Sequence, residues 1–226
     1  MHRLVMTSTA YRQASRKGGE ALAVDPDNVL LSRMTMRRMD AEQLYDSILM
    51  ATSRLDPARF GPPSDLDLSD DGEYRASGTA QGFRRSLYTL QQPRTPISLL
   101  EAFDLPQLAP NCIVRNQSNV PTQALQLMNS EWTWELSRYM AGRIIDAAGN
   151  DSEQLVREVF LRTLSRPPSR SETSESAAAL DELRSSWVER LMSDRREAPI
   201  EATARWLALA NLCHTVLNSA EFAFID

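Results

Sequence analysis

The residues best placed to do chemistry are Arg84 and Arg85, followed three positions after the second by Tyr88. Two guanidinium groups beside a phenol can grip an anion through paired N–H donors. A hydrolase or lyase acting on polysaccharide would need such a grip, an acid from the loop Asp65, Asp67, Asp70, Asp71 and Glu73, and further polar groups such as Arg115 and Asn116. A sheet edge blunted by charge accounts for the Arg84-Arg85 pair equally well. Trp132 and Trp134 lie two apart on an expected helix, so their side chains diverge. One of them would stack on a sugar, or both belong to a wide apolar face between two neighbours. These seven residues, Arg84, Arg85, Tyr88, Arg115, Asn116, Trp132 and Trp134, are the candidate ligand contacts, and no catalytic residue is assigned among them.

Other chemistries fail on spacing. Cys213-His214 suggests haem attachment, but the Cys-x-x-Cys-His motif needs a cysteine where Ala210 stands. Two cysteines about a hundred positions apart and two histidines have no zinc-ligand spacing, so neither a metal nor a cofactor is expected on this chain. Cys112 and Cys213 either bridge, if the protein is exported, or remain buried thiols. His214 sits in an apolar helix, where a hydrogen-bonded core or boundary histidine is the default. The acidic loop lacks the glycine and terminal glutamate of a calcium-binding EF-hand and reads as solvated. No glycine-rich phosphate loop, nucleophile elbow or His-Glu-x-x-His is present.

The elements that must position these residues are mostly helices. A hydrophobic fraction of 42% with 24% charged residues in 226 supports a true core. Net charge of −5 argues against nucleic acid as a partner. Lys17 is the only lysine, a bias expected of a GC-rich genome. No apolar run approaches the about 20 residues of a membrane span, and the N-terminus lacks a signal peptide's apolar segment.

Met1 to Tyr11 reads as an amphipathic helix already under way, with Leu4, Val5, Ala10 and Tyr11 apolar. Arg16-Lys17-Gly18-Gly19 breaks it, and Asp25-Pro26-Asp27 looks like the next helix start. Asp40-Ala41-Glu42-Gln43 has capping-box spacing and predicts a helix over 41–54. Residues 56–82 form a loop or irregular insertion, and Arg84 to Leu90 is the best strand candidate. Its partner would be Glu73-Tyr74-Arg75 or Ile113-Val114-Arg115. Helices are then predicted over 97–103, 121–128, 131–148, 153–164, 170–192 and from Pro199 through Leu217, the fourth and fifth capped by Asp151 and Ser169. Two of them stop at Asn-Ser, at Asn129-Ser130 and Asn218-Ser219. Asn tolerates the left-handed turn that ends a helix, and Ser can cap the element that begins next. The expected fold is therefore mainly α: a helical bundle with at most a small β element near residues 74–90. One domain over 1–226 is expected, with a soft boundary near Gly149.

Four segments carry a resemblance: Met1 to Ser15, Arg37 to Leu44, Val120-Pro121-Thr122-Gln123-Ala124-Leu125 on to Asn129-Ser130, and Leu212-Cys213-His214 on to Asn218-Ser219-Ala220-Glu221-Phe222. The corner Arg166-Pro167-Pro168 joins them. Their order and spacing resemble the C-terminal planctomycete-specific domain, a family of unknown function found in long proteins with N-terminal cytochrome c-type modules. The resemblance covers nearly the whole chain. It implies an extracytoplasmic or periplasmic, multi-domain bacterial protein, in some relatives linked to sugar-binding modules, with haem c on upstream modules. It implies no activity. By the same resemblance the chain starts inside the usual domain, as if truncated at its N-terminus, and ends where relatives end. The leading expectation is a non-catalytic helical domain that packs on upstream domains of a parent protein and serves binding or assembly. A polysaccharide hydrolase or lyase with its site near Arg84, Tyr88 and Arg115 is the alternative. Polysaccharide and the upstream domains are the expected partners.

Overall fold

The computed structural model describes residues 1–15, 23–106, 112, 114, 115, 118–194 and 199–225. The chain divides into two compact units, one of Met1–Met39 with Phe224–Asp226 and one of Asp40–Ala223.

In the first unit, helix α1 spans only His2–Met6, and every residue of it is exposed. The expected continuation through Ala10 and Tyr11 does not form. Thr7 and Ser8 turn their hydroxyls back onto the carbonyls of Arg3 and Val5, at 2.8 and 2.7 Å. Such local side-chain bonds compete with helix propagation, and no buried face offsets them. The expected helix start at Asp25-Pro26-Asp27 is a turn instead. The Asp25 carboxylate accepts the backbone N–H groups of Val29 and Leu30, both at 2.8 Å. Asn28 and Leu31 take left-handed backbone angles, φ 55° and 53°. Arg33 closes the turn by donating to the carbonyls of Asp25 and Pro26. Strand β1, Arg37–Arg38, pairs antiparallel with the chain's last strand, Phe224–Ile225.

The second unit opens on helix α2, Ala41–Ala51, where the Asp40 N–H donates to Gln43 Oε1 at 3.1 Å, one half of the expected capping box. It ends three residues before the expected limit. Thr52 donates its hydroxyl to Ile48 O, and Ser53 takes φ 59°. Leu44, Tyr45, Ile48 and Leu49 form its buried face. The region expected as loop then holds short strands. These are β2, Leu55–Asp56; β3, Leu66–Leu68; β4, Tyr74–Ala76; and β5, Phe83–Arg84. The pairs are β2 with β5, parallel, and β3 with β4, antiparallel with Asp67 opposite Arg75. The expected strand over Arg84–Leu90 is thus cut short. Asp46 accepts the Ser86 N–H at 2.7 Å, and Ser86–Tyr88 winds into a 3₁₀ turn. Of its expected partners, Tyr74-Arg75 pairs with β3 instead, and Ile113 lies outside the described residues.

The remaining helices follow the sequence closely. They are α3, Ser98–Ala102; α4, Pro121–Asn129; α5, Glu131–Ala148; α6, Ser152–Leu164; α7, Arg170–Ser193; α8, Ile200–Leu217; and α9, Ala220–Ala223. Strand β6 is Phe224–Ile225. The fold is mainly α, with its β structure limited, among the described residues, to three two-stranded pairs and an isolated bridge between Ser64 and Thr89. Helix α8 is the central strut. Its Leu209, Cys213 and Val216 pack with Met140 and Ile144 of α5, Val156, Val159 and Phe160 of α6, and Leu180 of α7. Full burial of one such aliphatic side chain contributes about 1.5–3 kcal/mol, so this cluster outweighs any one polar contact in the unit.

The two Asn-Ser endings do not use the expected left-handed turn. Asn129 is the last residue of α4, and Asn218 ends α8 at φ −88° and ψ 0°. Ser130 does not cap α5 with its side chain. Ser219 does hold the start of α9, accepting the Phe222 N–H at 3.2 Å.

Candidate functional site

The six described candidate contacts do not converge. Arg84, on β5, is buried and donates to the carbonyls of Pro62 and Phe60, each at 2.6 Å. Phe60 and Gly61 have φ of 63° and 87°, a left-handed turn that aims two carbonyls at one guanidinium. The other face of Arg84 lies 4.5 Å from the Tyr88 ring centroid. The cation and the phenol therefore fasten the 60–62 turn.

Arg85 points elsewhere, its Nε 2.7 Å from Asp46 Oδ2. Arg115 holds Glu42 through two bonds of 2.7 Å each. Those bonds keep the Glu42 carboxyl below its ordinary range despite partial burial, and they raise Arg115 in turn. Glu42 and Asp46 are one turn apart on α2, so this helix edge secures two distant segments through separate ion pairs. Asn116 lies outside the described residues.

The acidic loop is likewise engaged. Asp71 accepts the Ser69 hydroxyl and an Arg75 N–H, and these bonds hold its carboxyl low, Ser69 first. Glu73 accepts Gln126 Nε2 at 2.6 Å and Ser130 Oγ at 2.8 Å, which latches the loop to the α4–α5 junction. The serine that was expected to cap a helix serves this latch.

Trp132 is buried, with 4% of its surface exposed, and stacks on Tyr45 at a centroid distance of 5.1 Å. Phe83 meets it edge-on at 5.8 Å. It is a core residue, which removes it as a sugar platform. Its indole N–H and the Tyr45 hydroxyl have no hydrogen-bond partner, and burial pushes the Tyr45 phenol up. Trp134 is half-buried, with His214 against it edge-on at 5.5 Å and Arg138 over its ring. His214 Nε2 lies 3.1 Å from the Leu127 carbonyl, an acceptor only, so that nitrogen carries a proton. Burial holds the His214 ring below its ordinary pKa. The Cys112–Cys213 bridge does not form. Cys112 is an exposed free thiol and Cys213 a fully buried one whose pKa burial pushes up.

Three further arrangements escape sequence reasoning. Asp104, at φ 66°, accepts the Ser118 N–H and hydroxyl, both at 2.8 Å, and Gln123 Nε2 at 3.4 Å. Arg166 forks between two helices, reaching Glu172 at 2.7 and 2.9 Å and Glu221 at 2.5 and 2.7 Å. A concavity of about 400 Å³, its open mouth included, lies where α6, α7 and α8 meet, with Arg184 and Arg205 in its wall. Each of these joins residues well separated in sequence, and no local pattern announces them.

Among the described residues no helix is long and apolar enough to cross a membrane. A family model described as PSD1, protein of unknown function (DUF1553), matches residues 1–180. No match was found among curated proteins or among solved structures.

Proposed function

The chain belongs to the DUF1553 family of proteins of unknown function, and from that premise we propose that it is a non-catalytic helical domain serving binding and assembly. Its setting, in this reading, is an exported, multi-domain bacterial protein of planctomycete type whose upstream modules carry c-type haem. The carrying observation is the surface of the first unit. Leu4, Val29, Leu30 and Leu31 are each 71–78% exposed, with Met6, Tyr11 and Met36 at 57–60%. Half of the large apolar side chains exposed among the described residues precede Asp40. So many exposed apolar side chains within about forty residues suit a contact surface, and an upstream module of the parent protein is the occupant that fits this reading.

The polar groups that looked chemical support the same reading. Arg84, Arg85, Arg115 and Glu73 each bind another part of the fold, which favours a structural over a hydrolase or lyase role for these described residues. The test is co-purification of the chain with the cytochrome c-type modules. Leu30→Asp with Leu31→Asp should leave the helical circular dichroism unchanged and abolish recovery of those modules. Equal recovery with the double variant would overturn the reading.

A further inference from the structure

The turn that replaces the expected helix at Asp25 is held from within. Asp25 and Asn28 are 7% and 9% exposed, and both direct their side chains onto the backbone. The Asp25 carboxylate accepts the N–H groups of Val29 and Leu30. The Asn28 amide donates to the Arg33 carbonyl at 2.9 Å, and its oxygen accepts the Arg33 N–H at 3.2 Å. Arg33 in turn donates to the carbonyls of Asp25 and Pro26. Between these ties stand Val29, Leu30 and Leu31, three consecutive aliphatic side chains left to solvent. Leu31 is held at φ 53°, a left-handed conformation that leucine seldom adopts. Buried polar groups thus fix the backbone of a tip that is wholly apolar. Strain of this kind persists only where the surroundings over-determine it, and it clusters at sites that hold a ligand or partner.

The charge of this region differs from that of the rest of the chain. Residues 1–39 hold seven basic side chains and three acidic ones, whereas residues 40–226 hold 18 and 27. In the described part of the first unit Arg3, Arg12 and Arg37 are exposed, against one exposed acid, Asp27. The Ala14 carbonyl accepts the Met34 N–H at 3.2 Å, which ties the Arg12 segment to the segment after the tip. Such a face suits an acidic partner surface. Two copies meeting through it would oppose like charges, and an anionic lipid surface would meet a chain of net charge −5.

We infer that Val29, Leu30 and Leu31 are the anchor of the assembly surface, a preset tip that enters an apolar pocket with an acidic rim on the upstream module. Asp25, Asn28 and Arg33 are its positioning residues. The inference rests on the assembly reading and names both the part of the surface that carries affinity and the chemistry of its partner. A tip that arrives ordered binds more tightly than a floppy one, because its conformational entropy is not lost on contact.

Interferometry of the full chain on immobilised cytochrome c-type modules tests this. Asp25→Ala removes both N–H acceptors and no apolar contact, and it should weaken binding about tenfold, the cost of ordering one or two residues. Asp25→Asn keeps one acceptor oxygen and should recover part of that loss. Raising the salt from about 50 to 500 mM should weaken binding of the unaltered chain, and Arg12→Gln with Arg37→Gln should flatten that dependence. Thermal melting establishes that each variant folds. No binding by the unaltered chain, or undiminished binding with Leu30→Asp and Leu31→Asp, overturns the assembly reading and the anchor together. Loss of binding in that leucine variant with full affinity in Asp25→Ala leaves the reading standing and overturns the preset anchor. Binding indifferent to salt overturns the acidic rim. Self-association of the chain in sedimentation, or attachment to phosphatidylglycerol vesicles, that the leucine variant abolishes gives the tip a different occupant and likewise overturns the inference.

Discussion

Individual side chains in this protein are recognisable because they fasten the fold. Arg166 is the clearest. It lies 5.5 Å from the Phe160 ring and forks to Glu172 and Glu221, residues 49 positions apart in sequence. Its own pKa rises, and the Arg166 bonds draw Glu172 down to about 2 and hold Glu221 low. Glu172 has an ordinary value of 4.5, so between pH 2 and 4.5 the unfolded chain binds more protons there than the folded one. The stabilisation is therefore complete above about pH 4.5 and drains away as pH falls towards 2. The three side chains are a third to a half exposed, so solvent screens the interaction and about 1 kcal/mol is the expected total. Arg166→Gln should lose that amount at neutral pH in urea denaturation. The gap between the two proteins should close as the pH approaches 2, and a gap that stays constant with pH would show that the carboxylates are not its source.

Among the elements, the helices from α2 onward were legible and the strands were not, for a physical reason. A helix is written locally: Asp40 with Gln43, Ser169 with Glu172, Pro121 at a first turn and Gly149 at φ 76° all act within four residues. The β2–β5 pair depends on contact between residues nearly thirty positions apart, so Arg84-Leu90 looked like a strand on composition and became a turn when Asp46 took Ser86. The candidate site divides in the same way. Arg85 and Arg115 stood out as candidate ligand contacts, whereas the acids that each of them pairs with, Asp46 and Glu42, lie 39 and 73 positions away. Arg184 and Arg205 each look like an ordinary solvated helix arginine, and only packing of α7 on α8 makes both line one concavity. Two glycines test the strand account. A Cβ at Gly82, φ 146°, would sit 2.1 Å from the Arg54 carbonyl oxygen, the same oxygen that accepts the Phe83 N–H at 2.8 Å. Gly72, φ 86°, has nothing within 4 Å of that position. Gly82→Ala should cost roughly 2–4 kcal/mol, because backbone must move as well as strain, and Gly72→Ala about 1 kcal/mol. Equal costs in chemical denaturation would refute the close approach at β2–β5.

At the scale of the molecule, the two units differ in what holds them. In the second, α8 is enclosed by α5, α6 and α7, and Leu209, Ala210 and Cys213 have no exposed surface. In the described part of the first, the buried side chains are Asp25, Asn28, Arg38 and Met39, three of them polar. Hydrogen bonds such as Asp25 to Val29 set its turns but bring little apolar area out of water, and net gains of about 1 kcal/mol each do not cover the entropy of ordering the chain. The first unit should therefore open locally far below the free energy of global unfolding. Amide exchange resolves this directly. Amides of His2–Met6 should exchange at nearly the unprotected rate, whereas those in the middle of α5 and α8 should exchange only through global unfolding and track the denaturation free energy. Protection of His2–Met6 equal to that of α8 in the isolated chain would mean that the first unit has an apolar core of its own. Its exposed leucines would then be ordinary surface, and the assembly role would lose its physical basis.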